Sequence, residues 1–118
     1  MASAHNQTRN TCLATDVVFA STHWSRFRGL MATGPANFPP GCGLLLSPSR
    51  GIHTFAMRFP IDALYLDANR FVVHLEENLR PWRIAPVKLA AVEVLELPAG
   101  TIRESTTALG DRIEIADA

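Results

Sequence analysis

The chain has 118 residues, of which 47% are hydrophobic and 19% charged, and this composition indicates one globular domain rather than a disordered chain. Its 11 basic and 11 acidic side chains cancel, so the formal net charge is zero. A neutral total argues against a nucleic-acid-binding protein, because such proteins usually carry a strong basic excess.

The cancelling charges are segregated along the sequence. Residues 1–60 carry five arginines and one acid, a net charge of +4, whereas residues 61–118 carry six basic and ten acidic residues, a net charge of −4. No Asp or Glu occurs from Val17 to Ile61. Either the arginines of the first half pair with acids of the second, or they form an electropositive patch for an anionic small molecule or an acidic protein segment.

Several features predict where and in what form the protein works. There is no apolar run of about 18 residues and no hydrophobic signal-peptide region, so we expect a cytoplasmic protein with no membrane contact. Two cysteines without a CxxC spacing, and four scattered histidines, favour neither a disulfide framework nor a metal site. We therefore predict no metal or cofactor, and a monomer or weak dimer.

Residues 1–10 are polar, and we interpret them as a disordered tail before a single β-rich domain over residues 11–118. The run Leu13–Ala20 predicts a first strand. The Ser-Thr pair that follows can cap a short helix over His23–Met31, where aromatic and apolar residues recur near helical spacing. The proline- and glycine-rich stretch Gly34–Gly43 predicts a loop.

The middle of the chain predicts two further strands and a hairpin. A short apolar strand at Leu44–Leu46 ends at Pro48. From Ile52 to Phe59, alternation places His53, Phe55, Met57 and Phe59 on one face of a strand. Two β-rich runs, Asp62–Leu66 and Phe71–Leu75, are joined by Asp67-Ala68-Asn69-Arg70, a good hairpin signal because Asn tolerates a left-handed conformation.

The last third begins with a second proline loop over Asn78–Lys88. A strand is predicted over Ala91–Leu97, a helical turn over Thr101–Leu109 that Gly110 closes, and a last strand over Arg112–Ile115. Long helices do not separate the strands, which excludes a doubly wound parallel sheet. The fold class predicted is mainly β, a small single-domain antiparallel barrel or sandwich with one or two short helices.

An ordered set of short motifs runs through nearly the whole chain. In sequence order these are Arg28-Gly29-Leu30-Met31, Gly43-Leu44-Leu45-Leu46, Gly51-Ile52-His53-Thr54-Phe55-Ala56-Met57-Arg58-Phe59-Pro60-Ile61-Asp62, Arg80-Pro81-Trp82-Arg83, Val94-Leu95-Glu96-Leu97-Pro98-Ala99-Gly100 and Gly110-Asp111. Together they resemble the family called domain of unknown function 192, in its His-Thr-Phe-x-Met-Arg-Phe-Pro-Ile-Asp subgroup. The resemblance covers about residues 13–115 and implies a small, mainly β, mostly prokaryotic protein without an established activity.

Two segments hold candidate site residues. His53 can shuttle a proton or bind a ligand, and Asp62 can orient an imidazole or accept from Arg58. The structural alternative is a hydrogen-bonded core histidine and an aspartate that binds backbone amides. In Arg80-Pro81-Trp82-Arg83, two guanidinium groups suit carboxylate or phosphate and the indole offers a stacking surface. The alternative is a tryptophan that plugs the barrel, with both arginines paired to nearby glutamates.

Glu96 completes the candidate set. It lies between leucines in a predicted strand, and a half-buried carboxylate there would need a cationic partner such as Arg58 or Arg83. We favour a binding module whose ligand-binding residues are His53, Arg58, Asp62, Arg80, Trp82, Arg83 and Glu96. The alternatives are a metal-independent enzyme, with His53 and Asp62 as its acid/base pair, and an assembly partner that uses an exposed apolar edge.

Overall fold

The described part of the chain, residues 2–22 and 34–117 of the computed structural model, is dominated by one seven-stranded sheet. Its strands are β1 (Ala2–Asn6), β2 (Thr11–Ala20), β3 (Cys42–Leu46), β4 (Ile61–Leu66), β5 (Val72–Leu79), β6 (Glu93–Pro98) and β7 (Ile113–Asp117). A 3-10 turn covers Pro35–Asn37, and the helix α1 covers Thr101–Ser105. Over these described ranges, no helix has the length and apolar character that crossing a membrane requires.

The sheet curls until its two edge strands meet. The strand order is β5-β4-β6-β3-β2-β1-β7, and β2 and β3 run parallel while the other neighbours are antiparallel. The edges join at an antiparallel bridge between Phe71 and Arg112, where the amide of Val72 donates to Asp111 O at 2.8 Å. The predicted mainly β, single-domain fold is confirmed as a curled half-barrel. The parallel β2–β3 pair departs from the antiparallel sheet that we predicted.

Two apolar clusters lie on opposite faces of this sheet. The first takes buried side chains from all seven strands, among them Leu45, Leu64 and Leu95, so the curl encloses it. The second uses the alternate residues of the central strands, such as Tyr65 and Val94. Two loops cover that outer face, and we call them the His53 loop (residues 47–60) and the Trp82 loop (residues 80–92). Ile52 and Met57 from the first loop, and Ala85 and Ala91 from the second, pack there.

The expected disordered tail contains β1, so that interpretation is wrong for its first residues. Strand β1 pairs with both β2 and β7, and Ala2 and Ala4 are buried in the enclosed cluster. Asn6 is also buried, and its Nδ2 donates to Thr107 Oγ1 and to Asp111 Oδ2 at 3.0 Å each. A polar segment can enter the interior here because its buried residues are small or have internal hydrogen-bond partners.

The strand predicted over Ile52–Phe59 is wrong. Only His53 forms a β-bridge there, with Ile84, and Ala56 has a left-handed φ of 59° that an extended strand cannot contain. Phe55 is exposed while Met57 is buried, so the predicted common face does not exist. The other predicted strands each overlap an observed one.

The helical predictions have separate outcomes. The helix over His23–Met31 lies outside the described residues. The turn predicted over Thr101–Leu109 is shorter than expected, because α1 ends at Ser105 and Thr106 takes a left-handed φ of 58°. Gly110, with φ 88°, follows in a separate turn before β7.

Candidate functional site

The Trp82 loop is anchored by one buried threonine of the His53 loop. The amide of Thr54 donates to Arg83 O at 2.8 Å, and Thr54 O accepts from the amide of Trp82 at 2.9 Å. The Thr54 hydroxyl donates to Arg80 O at 2.6 Å and accepts from the amide of Arg83 at 2.8 Å. Thr54 is fully buried, so these bonds hold the Arg80-Pro81-Trp82-Arg83 segment in one conformation.

Three aromatic rings form a ladder on the outside of these loops. The ring centroids of His53 and Phe55 are 5.1 Å apart, and those of Phe55 and Trp82 are 6.1 Å apart, each pair tilted by 31°. The amide of Phe55 donates to His53 Nδ1 at 3.2 Å. Trp82 is 64% exposed and has a left-handed φ of 63°, which is unusual for a bulky residue. The loop thus presents the indole to solvent, and Trp82 does not plug the barrel.

The two loops carry cations and no carboxylates. Together they contain five basic residues and no Asp or Glu: Arg50, Arg58, Arg80, Arg83 and Lys88. Of these, Arg50, Arg58, Arg80 and Arg83 are exposed, and Lys88 is half-buried. Within residues 2–22 and 34–117 the ion pairs are Arg9–Asp111, Arg70–Glu93 and His74–Glu76, so the loop cations are not neutralised by a described carboxylate. Cross-pairing between the two halves of the sequence therefore accounts for Arg9 but not for these loops.

Asp62 has the environment of a structural carboxylate. It is buried in β4, where Oδ1 accepts from the amide of Asn78 at 2.8 Å. Oδ2 accepts from the amides of Gly100 and Ile102 at 3.1 and 2.9 Å, at the start of α1. These bonds join three elements of the fold, as the structural alternative expected. They do not favour an acid/base pair with His53, because the carboxylate is turned inward.

Glu96 lies in the outer apolar cluster without the cationic partner that we expected. In the sheet it stands between Leu44 and Ala63, only 2% exposed, and its Oε1 accepts no hydrogen bond from residues 2–22 or 34–117. Neither Arg58 nor Arg83 pairs with it among the described ion pairs. Burial raises the pKa of Glu96 to about 8, which favours the neutral acid at pH 7.

Tyr65 connects the Glu96 region to the Trp82 loop. Its hydroxyl donates to Pro86 O at 2.7 Å, and its ring meets the His74 ring edge-on at a centroid distance of 4.8 Å. Burial, followed by the nearby Glu76 and Glu96 carboxyls, raises the pKa of Tyr65 to about 12. The phenol therefore stays protonated and continues to hold the loop on the sheet.

The structure divides the seven candidate residues into two groups. His53 and Trp82 share the exposed ladder, and Thr54 binds the backbone of Arg80 and Arg83 beside it. Asp62 and Glu96 belong to the interior, while Arg58 is exposed on the His53 loop. The sequence analysis missed Phe55 and Thr54, because it assigned both to a regular strand.

Comparison with known proteins places the chain among uncharacterised proteins. The family model of DUF192, described as "Uncharacterized ACR", matches residues 4–115. A UPF0127 protein of Thermococcus sibiricus is 37% identical over 112 residues, covering 92% of this chain and 71% of that protein. One from Pyrococcus furiosus is 32% identical over 114 residues, covering 92% and 94%.

Two solved structures are similar to this fold. A Sinorhizobium meliloti protein, described as a candidate transcription regulator, has a TM-score of 0.73 and 27% identity, with 84% of this chain and 80% of that one covered. A Novosphingobium aromaticivorans protein of unknown function has a TM-score of 0.80 and 18% identity, covering 96% and 82%. By its family match and its relatives, the chain belongs to the DUF192 family, domain of unknown function 192.

Proposed function

We propose that this domain is a binding module for anionic ligands. Its binding surface, which we call the Trp82 surface, consists of the side chains of His53, Phe55, Arg80, Trp82 and Arg83. The observation that carries the proposal is the aromatic ladder, with Phe55 and Trp82 exposed, on two loops that contain five cations and no carboxylate. Guanidinium groups bind carboxylate and phosphate through paired hydrogen bonds, and the rings supply contact area.

The backbone of the site supports binding. Residues held with φ above zero cost on the order of 1 kcal/mol or more each, and such residues cluster at functional sites. Ala56 and Trp82 both take this conformation, and Thr54 fixes the segment between Arg80 and Arg83. A surface that is already ordered loses little conformational entropy when a ligand binds.

Anion binding can be tested by NMR with two defined probes, inorganic phosphate and poly-L-glutamate. We expect saturable shifts of the Trp82 indole N–H and of the neighbouring loop amides for at least one probe, and weaker binding as sodium chloride is added. The indole signal is assigned with Trp82→Phe. The variant carrying Arg80→Glu and Arg83→Glu should bind at least tenfold more weakly.

Arg103→Glu is the control for a charge reversal elsewhere on the domain, because Arg103 is an exposed arginine on α1, outside both loops. It lowers the net charge without changing the Trp82 surface, so its affinity should stay close to that of the wild type. The single variants Arg80→Glu and Arg83→Glu, which change the net charge equally, are compared with Arg103→Glu. The proposal is overturned if neither probe gives saturable shifts, or if the double reversal and Arg103→Glu weaken binding equally.

A further inference from the structure

The Trp82 loop exposes more apolar surface than an anion site requires. Ile84, Val87 and Leu89 are 74%, 67% and 83% exposed, and they follow Trp82 within seven residues. In the described ranges, five of the nine exposed large hydrophobic side chains belong to the two loops, counting Phe55. Single exposed apolar residues are ordinary, whereas a concentration of them marks an interaction site.

The backbone below these side chains is fixed. The amide of Ala85 donates to Ile52 O at 3.0 Å, and that of Lys88 donates to Arg50 O at 2.8 Å. The Tyr65 hydroxyl donates a hydrogen bond to Pro86 O, and Ala85 is buried against the sheet. These hydrogen bonds fix the backbone of the segment against the rest of the domain, while the side chains of Ile84, Val87 and Leu89 are exposed to solvent. A partner would meet them already in position.

The shape of this surface favours a macromolecule over a small anion. Small molecules usually bind in concave sites that bury most of their surface. A cleft of about 570 Å³ does exist, but hairpin and β7 residues such as Asn69, Arg70 and Glu114 line it, with no residue of the ladder. The Trp82 surface lies outside this cleft. Together with Ile84, Val87 and Leu89 of the same loop, it offers aromatic, aliphatic and arginine side chains, and aromatic and arginine residues are enriched in protein interfaces.

Resting on the binding function proposed above, we propose that the ligand of the Trp82 surface is an acidic segment of another protein that also carries bulky apolar side chains. Its carboxylates would pair with Arg80 and Arg83, and its apolar side chains would cover Ile84 and Leu89. Charge complementarity selects this partner, because the charged residues of the two loops are all cations and each exposed apolar side chain lies within three residues of one of them in sequence.

The experiment is a selection of random 12-residue peptides displayed on phage, with the purified wild-type domain as bait. We expect enriched sequences to combine Asp or Glu with Leu, Ile, Phe or Trp. Synthetic copies should bind the variant carrying Ile84→Ser and Leu89→Ser at least tenfold more weakly, and the Arg80→Glu, Arg83→Glu variant likewise. Both serine substitutions are at exposed positions, so thermal melting should show a folded domain.

Leu109→Ser is the matched control for lost apolar area, since Leu109 is 63% exposed in the α1–β7 connection, outside both loops. The selected peptides should bind it as they bind the wild type. If acidic peptides without apolar residues are enriched and the serine variant binds them normally, this inference is overturned while anion binding stands. If no acidic peptide is enriched, the inference fails and the phosphate and polyglutamate titrations decide anion binding separately. Tighter binding of a DNA duplex than of any selected peptide also overturns the inference.

Discussion

Glu96 is a carboxyl group that the fold keeps among apolar side chains. Ionised, its Oε1 would need a hydrogen-bond donor or a cation, and no group of the described residues supplies either. The protein tolerates the residue by favouring its neutral form. The position of this glutamate between leucines predicted a half-buried side chain, and the structure buries it fully. Its ionisation depends on neighbours from other strands that a single sequence does not identify.

The raised pKa of Glu96 makes stability fall with increasing pH. The folded-state pKa of about 8 lies above the ordinary value of 4.5, so the folded chain holds this proton more tightly than the unfolded chain. The free energy of unfolding therefore decreases as pH rises from the lower value to the higher. Glutamine does not titrate, so the free energy of unfolding of Glu96→Gln should not show this decrease. Relative to the wild type, it should rise over this interval by on the order of 5 kcal/mol at most.

Urea unfolding at about pH 5 and about pH 8 measures this difference in stability between Glu96→Gln and the wild type. Glu77→Gln, at an exposed position of β5, is the control and should follow the wild type at both pH values. An equal difference between Glu96→Gln and the wild type at the two pH values would contradict the prediction.

The elements of the sheet differ in how well sequence patterns predict them. The β4–β5 hairpin was predictable because its turn signal is local: Asp67 Oδ1 accepts from the amides of Asn69 and Phe71 at 2.9 Å each. The alternation from Ile52 to Phe59 resembles a strand equally well. The strand prediction is wrong there because Ala56 has a left-handed backbone conformation. The segment is instead hydrogen-bonded to the Trp82 loop, over 20 residues further along the chain.

Substituting a side chain that hydrogen-bonds several elements together should therefore destabilise the protein more than substituting one within a single turn. In Asp62→Ala, three amides from two other parts of the chain lose their acceptor, including the buried Ile102 amide at the start of α1. We expect a loss of about 3 kcal/mol or more in the free energy of unfolding, because unpaired buried amides cost about 1–3 kcal/mol each.

Asp67→Ala is the control for that joint. It also removes a carboxylate that accepts from two amides, but in an exposed turn where water can replace it. Its cost should stay below about 1 kcal/mol. Chemical denaturation measures the free energy of unfolding of both variants. Equal losses would contradict the prediction that the buried position of Asp62 makes its hydrogen bonds more important for stability.

At the scale of the whole molecule, the fold class followed from many short β-rich segments, whereas the strand order did not. Turn signals identify neighbours such as β4 and β5. They carry no information on the parallel β2–β3 pair, or on β1 entering between β2 and β7. The Trp82 surface has the same origin, because Thr54 and Arg83 are 29 residues apart in sequence and meet only in the folded domain. The individual candidates His53, Trp82 and Arg83 could be named from sequence, and their arrangement could not.

Strand β1 should be essential to the fold, contrary to what a disordered tail implies. Deleting residues 2–6 removes the strand that joins β2 to β7 and the Asn6 bonds to Thr107 and Asp111. We expect the truncated chain to lose its cooperative thermal unfolding transition, which circular dichroism measures. Gln7→Ala, at the exposed next position, should melt as the wild type does. A deletion variant with an unchanged melting temperature would contradict the role given to β1.

The pairing of β1 with β7 also constrains how the chain reaches its native state. Ala2 lies opposite Asp117, so the earliest and latest parts of the described chain are neighbours in the sheet. During synthesis, β1 cannot pair with β7 until residues 113–117 have been made. Until then, the enclosed cluster is not covered on that side. Contacts between such distant residues form slowly. Folding should therefore be completed only after translation has passed β7, with the closure of the half-barrel as its final event.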